Sequence, residues 1–124
     1  MALHNEIGIL GEELARDYLR SHGYTVVETN THIGHKEIDI IATKNGRIIF
    51  VEVKTRTNDQ CDPIDAIDNK KINKLVRAAN SYIQTFNIKH EPQFDIITII
   101  IHPDGSHKLT HYEDAFLPPL YGAY

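Results

Sequence analysis

The stretch KEIDIIATKNGRIIFVEVK, residues 36–54, decides the fold because its pattern predicts one β-hairpin. Asn45-Gly46 stands between two runs rich in β-branched residues. This dipeptide favours a two-residue type I′ turn, in which both central residues need a positive φ. The strand register follows from the turn by counting outward. The predicted pairs are Lys44 with Arg47, Ile41 with Phe50, Asp39 with Glu52, and Glu37 with Lys54.

The hairpin gathers charge on one face, because side chains alternate along a strand. The charged residues of that face are Glu37, Asp39, Glu52 and Lys54. Directly opposed like charges destabilise a strand pair. An exposed polar face would tolerate them, but Ile41, Ile48 and Phe50 follow on the same face and indicate that it is covered. A divalent cation explains the two central carboxylates better, since Mg²⁺ is typically held by one or two carboxylates plus phosphate and water.

Two further acids have open roles. Glu37 is either a third metal ligand or an ion-pair partner of Lys54, and we predict the ion pair. Glu12 lies off the centre of the first helix's apolar stripe, on the side of Gly8 and Ala15. Small residues there let a helix approach a sheet closely. Glu12 is therefore either a solvated glutamate on the flank or an acid at the edge of the interface.

The remaining elements follow from hydrophobic periodicity and capping signals. The prediction is a helix over 5–22, a strand over 24–31, a helix from Asp62 to about Phe86, and strands over 93–101 and 108–112. Residues 93–101 are nearly all apolar, which is typical of a central strand covered on both faces. The fold class is therefore α/β, with a mixed central sheet flanked by helices. One domain would cover residues 1–117, and residues 118–124 would form a tail.

Basic residues of the second helix are candidates for phosphate binding. Lys71 falls between Ile67 and Leu75 on the apolar stripe, where a lysine either snorkels or reaches a site over the sheet. A separate stripe consists of Lys70, Lys74, Arg77 and Ser81. Such a stripe is usually a solvated face. Together with Lys54 and Arg56 it would make a phosphate track.

Length, composition, net charge and cysteine count limit the kinds of protein that this sequence can encode. The chain has 124 residues, 41% apolar and 24% charged, and a net charge of −4, which permits one domain with an ordinary core. Net charge argues only weakly against nucleic-acid binding, because local basic patches supply the phosphate contacts. Cys61 is the single cysteine, so an internal disulfide and a cysteine-based zinc set are excluded. We expect a cytoplasmic protein with no membrane span or signal peptide.

Histidines and one buried acid give weaker signals. His32 and His35 have ligand-like spacing, and three more histidines cluster near the C-terminus, but scattered surface positions fit them better than a zinc site. Asp95 opens the buried strand. It either pairs with a basic residue or borders the site, and its position in the sequence fits both.

Several separated motifs, in order, resemble the YraN-like family of bacterial proteins over about residues 5–116. The matching residues are Gly11, Glu12, Ala15, Tyr18, Leu19, Gly23, Tyr24, Asn30, 37–42, 50–56, Lys71, Leu75, Phe94 and Asp95. Lys36 is a departure, since the family usually has glycine before its Glu-Ile-Asp. The family is similar to the restriction-endonuclease-like superfamily, whose pattern is an acid followed by (D/E)-x-K on the next strand.

The resemblance implies a restriction-endonuclease-like fold with an αβββαβ core and a site built on Asp39, Glu52 and Lys54. It adds Glu12 from the first helix and Lys71 from the later one. We therefore expect a Mg²⁺- or Mn²⁺-dependent nuclease acting on DNA or RNA. The metal ligands would be Asp39 and Glu52, with Glu12 completing the set.

In this reading Lys54 orients the attacking water or stabilises charge on the phosphate. Arg56, Lys70, Lys71 and Lys74 bind backbone phosphates. Two alternatives remain: a nucleic-acid-binding module that keeps the site without cleaving, and an interaction domain whose charges are ion pairs.

Overall fold

The structure is a computed structural model that describes residues 2–57, 64 and 67–116, with side chains from residue 6 onward. Its elements are α1 (Ala2–Ser21), β1 (Thr25–Ile33), β2 (Lys36–Lys44), β3 (Arg47–Arg56), α2 (Asn69–Thr85), β4 (Glu91–Ile101) and β5 (His107–Tyr112). The strands of this described part form one sheet in the order β1-β2-β3-β4-β5. β3 and β4 run parallel and the other neighbours antiparallel. The α/β class with a mixed sheet is confirmed, and the αβββαβ order is present with β5 added.

The two helices cover opposite faces of the sheet. On β3, Ile48 and Phe50 pack with α2 residues such as Leu75, while Ile49 and Val51 pack in the other cluster, with α1. This alternation makes β3 a central strand with both faces buried. Burial of β4 from Phe94 to Ile99 confirms the prediction that this strand is covered on both sides.

The predicted hairpin turn and the first part of its register are confirmed. Asn45 and Gly46 have φ values of 53° and 78°, as a type I′ turn requires. Lys44 pairs with Arg47, and Ile41 pairs with Phe50. The last pair of the β2–β3 ladder is Ile40 with Val51. The predicted ladder pair of Asp39 with Glu52 is therefore wrong.

Beyond the last β2–β3 pair the sheet forks. β2 stays paired with β1 as far as Lys36, and β3 stays paired with β4 as far as Arg56. The two strands therefore follow different neighbours where Asp39 and Glu52 occur. We call this opening between β2 and β3 the fork.

The predicted start of the second helix is wrong. Ile67 and Asp68 are not helical, and α2 begins at Asn69 with Asp68 as its N-cap. The Asp68 side chain accepts a hydrogen bond from the Lys71 backbone amide at 3.0 Å, which satisfies an otherwise unpaired donor of the first turn. Asp62 and the predicted tail at 118–124 lie outside the described residues.

Helix α1 packs closely against the sheet at Gly11. A Cβ atom on Gly11 would overlap the Thr55 side chain of β3, whereas a Cβ atom on Gly8 would have nothing within 4 Å. The small residue that the packing needs is therefore Gly11, and the predicted role of Gly8 is wrong. Among the described helices, none is long and apolar enough to cross a membrane.

Candidate active site at the fork of the sheet

Asp39 points its carboxylate into the fork. Its Oδ2 accepts a hydrogen bond of 2.8 Å from the Val53 backbone amide. The neighbours of Asp39 on the chain, Ile38 and Ile40, pack in opposite clusters although they are two residues apart. Regular alternation would place them on one face. The strand therefore changes face at Asp39, and the side chain of Asp39 bridges to β3 where backbone pairing has stopped.

Glu52 comes to the same place from β3. It is half-buried and lies two residues after Phe50, so its side chain is on the face of the sheet that α2 covers. Asp39 and Glu52 line one cavity of about 530 Å³, together with Lys71 and Lys74 of α2. The two acids thus meet in one cavity as expected, although through the fork and not through a ladder pair.

The surroundings of Asp39 and Glu52 disfavour the ionised form of both carboxyl groups. The pKa of Asp39 is raised to about 7: burial is the largest cause, the nearby Glu52 acts in the same direction, and the hydrogen bond from the Val53 amide opposes the shift. Burial also raises the pKa of Glu52, which Lys71 and Lys54 oppose. Desolvation and like charge both disfavour the ionised form. A cation between these acids would relieve both effects.

Lys54 lies near these carboxylates and near Glu12 of α1. Burial is the main cause that lowers the pKa of its ammonium group, followed by the positive charges of Arg56 and Lys71, while Glu52 and Asp39 act in the opposite direction. Lys54 and Arg56 line a second cavity, of about 260 Å³, which Glu12 of α1 also lines. The lysine is therefore close enough to the acids to feel their charge and borders open space.

Glu12 is half-buried at the edge of the α1 interface, so it is not simply a solvated flank residue. Burial raises its pKa, a hydrogen bond from the Asn30 side chain lowers it, and the charge of Glu37 raises it again. Asn30 had no predicted role. Its φ is 51°, and the left-handed region is several-fold enriched in asparagine. An asparagine inside a strand pattern was the available signal.

The basic residues of α2 divide differently from the prediction. Lys71, Lys74 and Arg77 line the first cavity, and all three are exposed. Lys71 therefore lies with Lys74 and Arg77, although the sequence predicts it on the separate apolar stripe. Lys70 is exposed and does not line the cavity. Arg56 lies at the second cavity, across β3 from this group.

The predicted ion pair between Glu37 and Lys54 is wrong. Glu37 pairs with His32 of β1, with 3.4 Å between His32 Nε2 and Glu37 Oε2. The fork explains the difference, because β2 at Glu37 has left β3 and follows β1. His35, at the β1–β2 turn, lines the first cavity with Glu37.

The acids fit a divalent ion that also takes ligands from elsewhere. Within the described ranges, no group of three or more His, Cys, Asp or Glu side chains is gathered closely enough to hold a metal by itself. Glu12, Asp39 and Glu52 therefore do not form a complete cage. Two carboxylate oxygen donors with room for water and phosphate are the usual setting for Mg²⁺, and Asp39 and Glu52 supply that pair.

Asp95 has a structural setting on the side of the sheet that α1 covers. It is fully buried and accepts hydrogen bonds from Gln93 Nε2 at 2.9 Å and the Asp114 amide at 2.9 Å, with His111 Nε2 at 2.7 Å. His111 Nδ1 lies 3.1 Å from the Tyr18 hydroxyl of α1. Of the two alternatives for Asp95, pairing with a basic residue is confirmed. The surface position expected for His111 is wrong.

Comparison of sequences gives consistent matches over most of the chain. The model described as "Uncharacterised protein family UPF0102" matches residues 11–99. A UPF0102 protein of Parabacteroides distasonis is 48% identical over 120 residues, covering 96% of this chain and 98% of that protein. A UPF0102 protein of Bacteroides fragilis is 46% identical over 122 residues, covering 98% and 100%.

Comparison of structures gives weaker similarity. A repair endonuclease from Pyrococcus abyssi has a TM-score of 0.42 and 19% identity, covering 81% of this chain and 37% of that chain. SfsA from Pyrococcus furiosus, in complex with Ca²⁺, has a TM-score of 0.40 and 12% identity, covering 89% of this chain and 63% of that chain. This chain thus spans less than two thirds of either solved chain.

Proposed function

Since the chain belongs to the UPF0102, or YraN-like, family, we propose from its site geometry that it is a divalent-metal-dependent nuclease. The reaction would be hydrolysis of a phosphodiester bond in DNA or RNA. One observation carries the proposal: the acids Asp39 and Glu52 line the same cavity as three basic residues of α2, Lys71, Lys74 and Arg77. Paired acids in one cavity with basic residues suit a metal ion and a phosphate together.

The acids would hold the ion. Asp39 and Glu52 provide oxygen donors, water and the substrate phosphate would supply further ligands, and Glu12 would join the set from α1 when the ion draws the three acids together. A divalent ion held there would supply charge stabilisation on the phosphate and lower the pKa of the attacking water. The raised pKa of each of the three carboxylates marks a place where positive charge is favourable.

The lysines and arginines would place the substrate. Lys54 would orient the attacking water or stabilise charge that develops on the phosphate oxygens. Lys71, Lys74 and Arg77 would bind the backbone on the α2 side, and Arg56 would bind it on the α1 side. Lys70 would act further along the same strand of nucleic acid. The net charge of −4 does not oppose this, because the basic groups are local.

A cleavage assay tests the proposal. Labelled duplex, single-stranded, flap and junction oligonucleotides, as DNA and as RNA, would be incubated with Mn²⁺ and the wild-type protein or the Lys54→Ala variant. Lys89→Ala serves as the matched control, since Lys89 is exposed and lies after α2, away from both cavities. We expect cleavage of at least one substrate by the wild type and the control, and a loss of 100-fold or more, on the order of the effect of general acid–base groups, in Lys54→Ala.

A second candidate is a nucleic-acid-binding module that does not cleave. The observation that favours it is the absence, in the described part of the chain, of a complete three-ligand metal cage. Binding by Lys71, Lys74 and Arg77 would then persist without a metal. Wild-type protein that binds oligonucleotides tightly in Mn²⁺ but cuts none of the panel would support this candidate over the nuclease.

A further inference from the structure

Besides the register shift between Val26 and Glu28, the β1 strand has an irregular residue directly across from Asp39. Asn30 has a φ of 51°, in the left-handed region, although it lies inside a strand. The pairs on either side are Thr29 with Ile40 and Thr31 with Ile38, and no pair joins Asn30 to Asp39 between them. The irregular residue of β1 and the site residue of β2 thus occupy the same step of the ladder.

The change of face on β2 occurs at that same step. Ile38 packs with the α2 cluster and Ile40 with the α1 cluster. A left-handed residue disrupts the regular alternation of a paired strand, much as a bulge does. The reversal leaves Asp39 free of both ladders, and its carboxylate reaches the Val53 amide across the fork.

The side chain of Asn30 acts in the other direction, toward α1. Its amide donates a hydrogen bond to the Glu12 carboxylate. One residue therefore contacts the acid of α1 and sets the backbone opposite the acid of β2. An asparagine meets both needs, because it tolerates positive φ better than most residues and carries a donor that glycine lacks.

We propose that Asn30 is a positioning residue of this site, whose left-handed backbone places Asp39 in the fork and whose side-chain amide orients Glu12. The catalytic half of this statement rests on the proposed nuclease function. The backbone half does not, because the bond between Asp39 and Val53 exists in the free protein. The competing explanation is that Asn30 only makes the edge strand irregular and so protects it from pairing with other chains.

Three substitutions separate the two roles of Asn30. Asn30→Gly keeps the positive φ at no steric cost and removes the amide. Asn30→Ala removes the amide and also disfavours the left-handed backbone. Asn30→Asp keeps the size and the tolerance for positive φ but puts an acid beside Glu12. Asn87 provides the matched control, since it has the same φ of 51° in the segment between α2 and β4, away from the fork.

Hydrogen exchange at the Val53 amide reports the backbone role without any metal or substrate. Relative to the core amide of Ile97, we expect exchange at Val53 to be about tenfold faster in Asn30→Ala, the fold-change that corresponds to the strain of a left-handed alanine. It should remain at the wild-type rate in Asn30→Gly and in Asn87→Ala. Equal Val53 rates in Asn30→Ala and Asn87→Ala would overturn the backbone role, as would a Val53 rate in Asn30→Gly as fast as in Asn30→Ala.

Cleavage kinetics report the role of the amide. We expect kcat in saturating Mn²⁺ to fall about tenfold in Asn30→Gly and further in Asn30→Asp, with KM unchanged, since a misplaced charged ligand affects the transition state and not substrate binding. An unchanged kcat in both variants would overturn this role. If the wild type cuts no substrate, the proposed function and the catalytic half fall together, while the Val53 exchange rates still decide the backbone half. If Asn30→Ala does not fold, the exchange test rests on Asn30→Gly, in which a Val53 rate faster than the wild-type rate would overturn the backbone role, and Asn30→Gly and Asn30→Asp still carry the kinetic test.

Discussion

The Asp39 carboxylate and the Val53 amide are joined by a 2.8 Å hydrogen bond that crosses the fork where the β2–β3 ladder has already ended. A side chain thus replaces a backbone carbonyl as the acceptor for a strand amide. The bond holds Asp39 beside Glu52 in spite of their like charge, which burial makes costly.

Asp39→Asn should stabilise the metal-free protein at neutral pH. The pKa of Asp39 is raised from 3.8 to about 7 in the folded protein, so between these values the folded state holds a proton that the unfolded chain releases. Stability therefore falls as pH rises through this window. Asparagine cannot ionise, yet its side-chain oxygen can still accept from Val53. A pKa raised from 3.8 to about 7 corresponds to roughly 4 kcal/mol at pH 8, and the weaker bond that a neutral asparagine makes to Val53 removes about half of this gain. We therefore expect a gain on the order of 2 kcal/mol at pH 8 and little at pH 4.

Chemical denaturation in EDTA at both pH values measures this difference. Asp17→Asn is the control, because Asp17 is exposed on α1. An Asp39→Asn protein that is clearly less stable than wild type at pH 8 would mean that the carboxylate is a structural ion-pair partner, as in the interaction-domain alternative.

Gly11→Ala should destabilise the protein, while Gly8→Ala should not. The new Cβ atom at Gly11 overlaps the Thr55 side chain, whereas the one at Gly8 enters open space. Overpacking of this kind costs about 1–3 kcal/mol. The Gly8 variant instead gains up to about 1 kcal/mol from helix propensity. Thermal unfolding of both variants measures the contrast, and Thr55→Gly combined with Gly11→Ala should recover part of the loss. Equal stability of the two alanine variants would disprove the close approach.

Removal of Lys74 and Arg77 should weaken nucleic-acid binding and its dependence on salt. Both line the first cavity with the acids. Each phosphate contact contributes a log–log slope of roughly −0.9 on duplex DNA, so the double alanine variant should have a slope shallower by about two units. Lys70→Ala should change the slope less, since Lys70 lies outside the cavity.

Fluorescence anisotropy with a labelled oligonucleotide at several salt concentrations gives these slopes. The control is Lys89→Ala with Lys108→Ala, two exposed lysines away from both cavities. A double Lys74 and Arg77 variant with the wild-type slope would place the nucleic acid, if bound, on another surface.

Asp95→Ala should be strongly destabilising because it leaves buried partners unpaired. Asp95 and His111 are 2.7 Å apart, with side chains that are 0% and 6% exposed. Loss of one partner from a buried pair costs about 3–5 kcal/mol. Asp95→Ala combined with His111→Leu should cost less than the sum of the single variants, since the second change removes an orphaned group. Urea denaturation measures all three, and additive losses would show that the contact carries no coupling.

Local turn chemistry made the hairpin predictable from sequence. Asn45-Gly46 specifies its turn through backbone sterics alone, and the register up to Ile41 with Phe50 follows from it. The fork was not predictable in this way. It depends on the left-handed conformation of Asn30, which the strand pattern does not predict, and on the pairing of β3 with β4, whose residues are distant in the chain.

The misassigned helix start has a related cause. Asp62 and Asp68 are both good N-cap residues, and sequence alone does not say which one the tertiary packing uses. Asp39 and Glu52 could be singled out as candidates from the sequence because acids on a covered strand face are unusual. The grouping of Lys71 with Lys74 and Arg77 could not be predicted from the sequence. It depends on where α2 begins and on which of its residues line the cavity.

The most direct test of the central claim, that Asp39 and Glu52 hold a divalent ion over a nucleic-acid phosphate, is calorimetric titration of Mn²⁺ in the presence of a phosphorothioate oligonucleotide that resists cleavage. The claim predicts binding by the wild type and by Asp17→Asn, at least tenfold weaker binding by Asp39→Asn and Glu52→Gln, and weak binding by all four without the oligonucleotide, because the phosphate supplies ligands. Identical isotherms for the wild type, Asp39→Asn and Glu52→Gln would contradict it.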